Sequence, residues 1–373
     1  MARQYDVAMA EKHAARRRAL RTELANLEVD ALLVTELTNI RYLTGFTGSN
    51  AAVLIAREGD AATVFATDGR YTTQAGDEVA DLELLIERGS AKALAAYAGN
   101  DLTRYGRLGF ESQHVSVEQC DTLAAAAGEA TLTRTPGVVE RLRAVKDETE
   151  IDLVRAACSV ADRALAGLVA AGGLWEGRTE REVARELESR MFDHGAEAVA
   201  FETIVAAGEN SAIPHHSPGN RELVSGDLVK IDFGATVAGY HSDMTRMFVL
   251  GQPTQWQREL YELVRSAQQS GYQAVQPGTD VTAVDAAARE VVDDAGHGDE
   301  FPHGLGHGVG LRVHEAPSLG KGGTGELSSG MVVTVEPGVY LAGHGGVRIE
   351  DTVVVRNGTA EVLTHSSRDL VVV

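Results

Sequence analysis

Four acidic residues lie inside mostly apolar, strand-like stretches of this 373-residue chain, and they occur as two pairs. Asp232 and Asp243 flank a glycine-containing turn, and Glu336 and Glu350 flank Gly343. A carboxylate is rarely buried unless it is paired with a positive charge or bound to a metal. Any fold that buries these stretches must therefore bring positive charge to the four side chains.

Each pair predicts a β-hairpin whose two acids face each other. In an antiparallel hairpin, opposed residues are symmetric about the turn, and this places Asp232 opposite Asp243 and Glu336 opposite Glu350. Opposed like charges repel, and a divalent cation removes the repulsion. Two acids on a solvent-facing surface would explain one such hairpin equally well. Two such hairpins in one domain favour a metal site.

Histidines occur in two glycine- or proline-rich segments near these acids. Residues 301–310 contain His303 and His307, and His314 follows shortly after. A second segment contains His215 and His216. Histidines four residues apart can bind zinc on a helix, but four glycines among residues 303–310 argue against a helix. We expect proton transfer from this group, and the spacing alone does not decide which histidine binds metal.

Composition excludes several other classes of protein. Lys plus Arg is 34 and Asp plus Glu is 54, so the formal net charge is −20, which argues against nucleic acid as a partner. No apolar run approaches the ~20 residues that span a bilayer, so we expect no membrane partner. Cys120 and Cys158 cannot form a disulfide framework, and this suits a cytoplasmic protein. The sequence contains no Gly-x-Ser-x-Gly motif, which would have indicated a serine nucleophile.

The length predicts two domains, with a boundary at the Thr135-Pro136-Gly137 step, and hence domains at residues 1–136 and 137–373. The first half alternates strand and helix patterns, which is typical of an α/β layer. Its predicted strands are residues 31–35, 51–56 and 62–66, and its predicted helices are residues 12–27, 71–80, 91–98 and 118–127. In the second half, the predicted helices are residues 139–168, 179–194, 253–274 and 281–295, and the predicted strands are residues 200–206, 228–233, 331–335 and 346–355.

These residues together resemble the pita-bread metallopeptidase family, and the resemblance covers essentially the whole chain. The motifs that carry it are Ile231-Asp232-Phe233-Gly234, Ser242-Asp243-Met244-Thr245-Arg246, His303-Gly304-Leu305-Gly306-His307-Gly308-Val309-Gly310, His314-Glu315, Glu336-Pro337-Gly338 and Arg348-Ile349-Glu350-Asp351. The resemblance implies an N-terminal creatinase-like α/β domain with a mixed sheet. It also implies a C-terminal pita-bread α+β catalytic domain with a curved antiparallel sheet.

The resemblance also implies a role for each candidate residue. The implied ligands of two divalent ions are Asp232, Asp243, His307, Glu336 and Glu350. Asp232 would chelate one ion, Asp243 and Glu350 would bridge both, and His307 and Glu336 would bind the second. Glu336 is in addition the implied general base. The implied substrate-side and proton-transferring histidines are His215, His303 and His314, and the implied substrate-binding and supporting residues also include Arg348 and Tyr340.

The separate N-terminal domain resembles the creatinase/Xaa-Pro group of this family and not methionine aminopeptidase. Creatinase lacks the metal ligands, all five of which are present here. The implied reaction is hydrolysis of the bond between an N-terminal residue and a following proline, by a water that two ions activate. Mn²⁺ is the expected ion, with Co²⁺ or Zn²⁺ as alternatives. An Xaa-Pro aminopeptidase is expected, and a dipeptidase (prolidase) or a non-catalytic peptide-binding protein are the alternatives. The resemblance further implies a homodimer.

Overall fold

The computed structural model describes the backbone of residues 2–373 and the side chains from residue 10 onwards. The chain divides into two compact units, one that ends at Arg143 and one that spans Ala144–Val373. A helix, Val138–Ala144, runs across this division, so the boundary after residue 136 stays a prediction. Within the described part of the chain, no helix has the length and apolarity that crossing a bilayer requires.

The first unit is an α/β layer. Its helices, α1 to α6 in chain order, are Ala2–Asn26, Leu37–Thr44, Thr72–Glu78, Ser90–Gly99, Leu102–Tyr105 and Val117–Ala127, and α7 is Val138–Ala144. Its strands, β1 to β6, are Ala31–Val34, Ala51–Ala56, Val64–Thr67, Glu83–Ile86, Arg107–Phe110 and Thr131–Arg134. Short 3₁₀ turns lie at Asp60–Ala62 and Gly69–Tyr71.

The six strands of this unit form one sheet in the order β4-β3-β2-β1-β5-β6. The pairs β1–β2 and β2–β3 are antiparallel, and the pairs β1–β5, β3–β4 and β5–β6 are parallel. The predicted mixed sheet is therefore confirmed. The central strands are fully buried, and side chains such as Leu33 and Leu54 pack against Leu94 of α4 and Leu123 of α6.

The second unit contains four long helices and the remaining strands. The helices, α8 to α11, are Glu148–Ala170, Glu180–Asp193, Gln255–Ala274 and Val281–Asp294. The strands, β7 to β20, are Ala198–Val199, Ile204–Ala207, Leu228–Phe233, Ala235–Val237, Tyr240–His241, Met244–Val249, Gly306–Gly308, Glu315–Leu319, Val332–Val335, Gly338–Leu341, Gly345–Arg348, Asp351–Val354, Glu361–Val362 and Val371–Val372. Short 3₁₀ turns lie at Gly208–Ala212 and Gly298–Glu300.

Two helix pairs cover two sheets of this second unit. The sheet β20-β12-β9-β8 is covered by α8 and α9, and residues such as Leu165 and Leu187 pack against Ile231 and Phe248. The sheet β14-β13-β15-β18-β19 is covered by α10 and α11, whose apolar faces share a core with Val335. Apart from the parallel pair β12–β20, the pairings in these sheets are antiparallel.

The single helix predicted over residues 139–168 is wrong, because the backbone leaves the helix at residues 145–147. Val145 forms a β-bridge with Met331, and the N–H of Lys146 donates to the Gly330 carbonyl at 3.0 Å. Asp147 then caps α8 with its carboxylate, in a capping box with Glu150. Residues 146–150 contain no apolar side chain, and Asp147 with Glu150 three residues later is a capping-box pattern, so the sequence does carry a signal for this break.

A buried imidazole makes the first unit sensitive to acid. His13 is 7% exposed, and its Nδ1 lies 3.0 Å from the Tyr42 carbonyl oxygen. Burial is the main cause that lowers the pKa of His13 from 6.5 to about 4. An unfolded chain keeps the ordinary pKa of ~6.5, so between these values the unfolded chain binds a proton that the folded chain does not. The stabilising contribution of a neutral His13 is thus complete above ~pH 6.5 and is lost as the pH falls towards 4.

We therefore expect the free energy of unfolding to fall by roughly 2–3 kcal/mol between pH 7 and pH 4.5 through His13 alone. Denaturant titrations at the two pH values check this. The His13→Gln variant should lose that part of the pH dependence, whereas the exposed His114→Gln variant should keep it. An equal pH dependence in His13→Gln and the wild type would contradict the assignment.

Candidate active site

The four acidic residues lie where strands end or change partner in the second unit. Asp232 lies in β9 opposite Thr245 of β12, and Asp243 directly precedes β12. Glu336 lies between β15 and β16, and Glu350 lies between β17 and β18. At such breaks, the side chains are free to point away from the regular strand faces and towards one another.

The predicted register of the second pair is confirmed. The ladders β15–β18 and β16–β17 both have the register of a hairpin centred on Gly343, so Glu336 and Glu350 face each other at the step between them. The predicted register of the first pair is wrong by two positions, because Asp232 faces Thr245. The turn consists of Ala238 and Gly239, with φ of 49° and 79°. Two positive φ values mark a type I′ turn, and an alanine at its first position gives little sign of it.

The side chains nevertheless converge. Two groups of possible ligand atoms each lie within 4.8 Å of one another, and their members are Asp232, Asp243 and Glu350, and His307, Glu336 and Glu350. Glu350 belongs to both groups, as expected of a residue between two ions. A third group combines Asp243 and His307 with His314. The structure thus brings all five predicted ligands together.

The carboxylates of this cluster oppose one another electrostatically. Burial and the charges of Glu350 and Asp232 raise the pKa of Asp243 well above its usual range. Burial and the charges of Glu336 and Asp232 do the same to the pKa of Glu350. Burial would also raise the pKa of Glu336, but the hydrogen bond and charge of His307 lower it to about 2. The cluster therefore holds more negative charge than its surroundings balance.

Among the described residues, Arg348 supplies the one guanidinium that contacts the carboxylates of this cluster, and each of its three nitrogens already donates a hydrogen bond. It is 2% exposed and donates to the Asp232 carboxylate, to Thr245 Oγ1 at 3.0 Å and to Tyr340 Oη at 2.8 Å. Its Nη1 also lies 3.2 Å from the Pro214 carbonyl oxygen. One positive charge offsets one of four carboxylates, which leaves the others uncompensated.

His307 presents a ring nitrogen to the acids. Its Nδ1 lies 3.1 Å from the Gly308 carbonyl oxygen, which can only accept, so Nδ1 carries the proton. Its Nε2 lies 3.2 Å from Glu336 Oε1 and 3.5 Å from Asp243 Oδ2. Burial lowers the pKa of His307, but Glu336 outweighs this and raises it overall. Nε2 therefore donates to Glu336 here, and because Nδ1 is held by the backbone, loss of the Nε2 proton would leave a lone pair directed at the cluster for a cation.

These residues fit a pair of divalent cations. Asp232 Oδ1 is buried and has no hydrogen-bond partner within the described part of the chain. A buried acceptor without a donor is unfavourable, and a cation would satisfy it. Two divalent ions carry four positive charges, which more than offset the three negative charges that remain after the ion pair of Arg348 with Asp232. Carboxylate oxygens with one imidazole are a donor set suited to Mn²⁺ and similar ions.

His303 and Tyr340 form a short hydrogen-bonded chain beside the cluster. His303 Nδ1 lies 2.8 Å from the Gly304 carbonyl oxygen and its Nε2 lies 2.9 Å from Tyr340 Oη. Burial lowers the pKa of His303, so the ring is neutral and Nε2 accepts the hydrogen of the Tyr340 hydroxyl. The His314 ring lies 4.3 Å from the His307 ring, edge to face. Partial burial and then His307 lower the pKa of His314.

A cavity of about 780 Å³ opens above the cluster. All predicted site residues line it except Tyr340, which lies behind His303 and Arg348. The lining residues are Phe201, Glu202, Ile204, Pro214, His215, His216, Ser217, Asp232, Asp243, His303, Gly304, Gly306, His307, His314, Glu315, Ala316, Ser318, Glu336, Arg348 and Glu350. Its size suits a short peptide segment.

Two threonines that orient the carboxylates are missing from the sequence prediction. Thr245 Oγ1 donates to Glu350 Oε2 at 2.6 Å, and Thr334 Oγ1 donates to Glu336 Oε1 at 3.1 Å. Thr334 also accepts the backbone N–H of His307 at 3.1 Å. Thr334 lies two residues before Glu336, so the two-residue period of a strand could have placed them on one face. The contact between Thr245 and Glu350 spans two sheets and leaves no such signal.

Two family descriptions match the chain. Metallopeptidase family M24 matches residues 152–357, and the creatinase/prolidase N-terminal domain matches residues 16–145. The chain belongs to metallopeptidase family M24. This M24 protein is therefore a metal-dependent hydrolase, and the predicted family, fold class and enzyme class are confirmed.

Known proteins resemble this M24 member over nearly its whole length. An uncharacterised peptidase of Bacillus subtilis is 39% identical over 355 residues, which cover 95% of this chain and 98% of that protein. The structure of an Xaa-Pro dipeptidase from Bacillus anthracis matches with a TM-score of 0.91 and 35% identity, covering 98% of this chain and 100% of the other. An X-Pro aminopeptidase from Thermotoga maritima matches with a TM-score of 0.86 and 34% identity, covering 96% and 99%.

Proposed function

We propose that this M24 protein is an Xaa-Pro aminopeptidase, which hydrolyses the bond between an N-terminal residue and a following proline. The observation that carries the proposal is the convergence of the acids and His307 at the cavity, beside neutral histidines. The choice of Xaa-Pro bonds is supported by the similar structures, which are an Xaa-Pro dipeptidase and an X-Pro aminopeptidase.

The residues that would hold the two ions are Asp232, Asp243, His307, Glu336 and Glu350. Such a pair of divalent ions lowers the pKa of bound water and polarises the substrate carbonyl. Glu336 lines the cavity, so a carboxylate oxygen of this residue can accept the proton of the attacking water. Thr334 holds that carboxylate in place through its hydroxyl.

The histidines act on the substrate side of the cavity. His314 has a lowered pKa and is neutral at pH 7, so its imidazole N–H can donate a hydrogen bond to the carbonyl oxygen as negative charge develops there. His303 and His215 line the same cavity and contact the bound peptide. A proton must also reach the proline nitrogen when the peptide bond breaks, and these imidazoles are placed to relay it.

The charges of the cavity favour an aminopeptidase over a dipeptidase. A dipeptide brings its free carboxylate into the site, and that carboxylate needs a positive partner. Arg348 is the one arginine or lysine among the described lining residues, and it already donates to Asp232, Thr245 and Tyr340. Glu202, by contrast, is an exposed lining carboxylate suited to the ammonium group at a peptide N-terminus. A longer peptide places its own carboxylate outside this cavity.

A dipeptidase is the second candidate, and the similarity to the Xaa-Pro dipeptidase of Bacillus anthracis favours it. We further propose Mn²⁺ as the ion, because hard oxygen donors predominate among the five ligands.

A homodimer is proposed from the family resemblance. Both Cys120 and Cys158 are free thiols, which supports a cytoplasmic protein.

Replacement of Glu336 by glutamine should stop catalysis. The amide cannot accept the water proton and removes one negative charge from the cluster, so kcat should fall by roughly 10²–10⁴-fold or more. Turnover of an Ala-Pro peptide in the presence of Mn²⁺ measures this. The matched control is Glu150→Gln, at a buried glutamate outside the cavity lining. Activity of Glu336→Gln near that of the wild type would contradict the mechanism.

Substrate length separates the two candidate activities. We expect the tripeptide Ala-Pro-Ala and longer Xaa-Pro peptides to be cleaved with a higher kcat/KM than the dipeptide Ala-Pro. The reason is that the described lining residues include no arginine or lysine besides Arg348 to pair with the dipeptide carboxylate. Measurement of released N-terminal alanine at equal substrate concentrations checks this. Cleavage restricted to the dipeptide would replace the aminopeptidase by the dipeptidase.

A further inference from the structure

The segment that presents His215 to the cavity is residues 208–219, here called the His215 loop. It follows β8, begins with the 3₁₀ turn Gly208–Ala212 and ends before Glu222, whose backbone bridges back to Thr179. The loop has little regular secondary structure, so its backbone groups need other partners. Two fully buried, charged side chains supply them.

The first is Glu180, at the start of α9 and 0% exposed. Its Oε1 accepts the backbone N–H of Ala207 and the amide of Asn210, both at 2.9 Å. Its Oε2 accepts the backbone N–H of Gly219 at 3.0 Å and contacts His216 Nε2 at 2.8 Å. One carboxylate therefore joins the two ends of the His215 loop.

The second is Lys230, in the middle of β9 and also 0% exposed. Its Nζ donates to three loop carbonyl oxygens, those of Ser211 at 3.2 Å, Ile213 at 2.6 Å and Pro214 at 3.3 Å. Among the described residues it forms no ion pair, and its Nζ also lies 5.0 Å from the centre of the Tyr340 ring. The ammonium group thus binds the centre of the loop, directly before His215.

Buried charges of this kind are unfavourable unless hydrogen bonds compensate them. An apolar residue of similar size would usually serve packing as well or better. Glu180 and Lys230 form most of their hydrogen bonds with the His215 loop. Arg348 of the carboxylate cluster adds a contact to the carbonyl oxygen of Pro214. The backbone around His303 is held similarly, because Arg289 donates to the carbonyl oxygens of Phe301 at 2.8 Å and His303 at 2.7 Å.

We propose that Glu180 and Lys230 are positioning residues, which fix the His215 loop so that His215 contacts the bound peptide. The inference rests on the proposed peptidase function for its kinetic consequence. Neither residue is among the residues that line the cavity. Glu180 fixes the ends of the loop and Lys230 fixes its centre, so loss of either one frees His215. Among the described residues, neither side chain hydrogen-bonds to a carboxylate of the cluster.

A double-mutant cycle tests the proposal. Lys230→Met keeps the length of the side chain and removes its three donors, and Glu180→Gln keeps the shape and removes the charge. Each variant should raise KM for Ala-Pro-Ala by about tenfold while kcat changes less than about threefold. In a His215→Ala background, neither substitution should raise KM further, because the residue through which it acts is gone. Additive effects would overturn the proposal, as would an unchanged KM.

A matched control separates positioning from general stability. Glu150 is a buried glutamate that accepts a backbone N–H, that of Asp147 at 3.1 Å, and the hydroxyl of Tyr240 at 2.8 Å. Glu150→Gln should lower thermal stability to a similar extent and leave KM unchanged. An equal rise of KM in Glu150→Gln would show that the effect is general destabilisation, and would overturn the proposal.

Amide hydrogen exchange gives a readout that does not depend on activity. In Glu180→Gln, the amides of Ala207 and Gly219 should exchange faster, and in Lys230→Met the amide of Ile213 should do so. These amides should be unchanged in Glu150→Gln. Unchanged exchange in both loop variants overturns the positioning role even if the enzyme is active.

A wild-type protein that cleaves no Xaa-Pro peptide instead contradicts the proposed function. Faster exchange in the variants would then still support the role of Glu180 and Lys230 in holding the His215 loop. If Lys230→Met does not fold, Glu180→Gln carries the same test.

Discussion

The mutual repulsion of four clustered carboxylates, three of them buried and Glu336 partly buried, is the constraint on which the second unit depends. Asp232, Asp243, Glu336 and Glu350 lie close together with one arginine and one histidine beside them. A packed interior does not tolerate such an excess of negative charge unless cations enter it or protons do. The raised pKa values of Asp243 and Glu350 show that these carboxylates bind protons more readily when the site holds no cation. The buried Asp232 Oδ1, which has no hydrogen-bond partner among the described residues, indicates a place for a cation. Strand breaks, threonine hydroxyls and Arg348 all follow from the need to hold these groups together.

A second theme is that buried charge holds the backbone around the site. Glu180 and Lys230 bind the His215 loop, and Arg289, itself paired with Asp285, binds the segment that contains His303. Loops around an active site need freedom from the regular sheet so that their side chains can face the substrate. They must also be held firmly enough for catalysis. Charged groups that donate or accept several backbone hydrogen bonds meet both needs without adding regular secondary structure.

Much of this arrangement could be predicted from the sequence, and the exceptions have physical reasons. The strand Leu228–Phe233, the helix Val281–Asp294 and the register around Gly343 follow from local patterns, because period and turn residues are local properties. The register between Asp232 and Asp243 was wrong since a type I′ turn beginning with Ala238 carries no marked sequence signal. The roles of Glu180 and Lys230 depend on contacts with a loop distant in the chain, which neither periodicity nor motif spacing reveals.

The number of divalent ions that one chain binds tests the central claim most directly. Titration of the metal-free protein with Mn²⁺, followed by elemental analysis, should give two ions per chain, and hydrolysis of Ala-Pro-Ala should rise as they bind. The Asp243→Asn variant should bind fewer. A wild-type chain that binds no divalent ion, or that hydrolyses the peptide fully without one, would contradict the account of why these carboxylates are buried together.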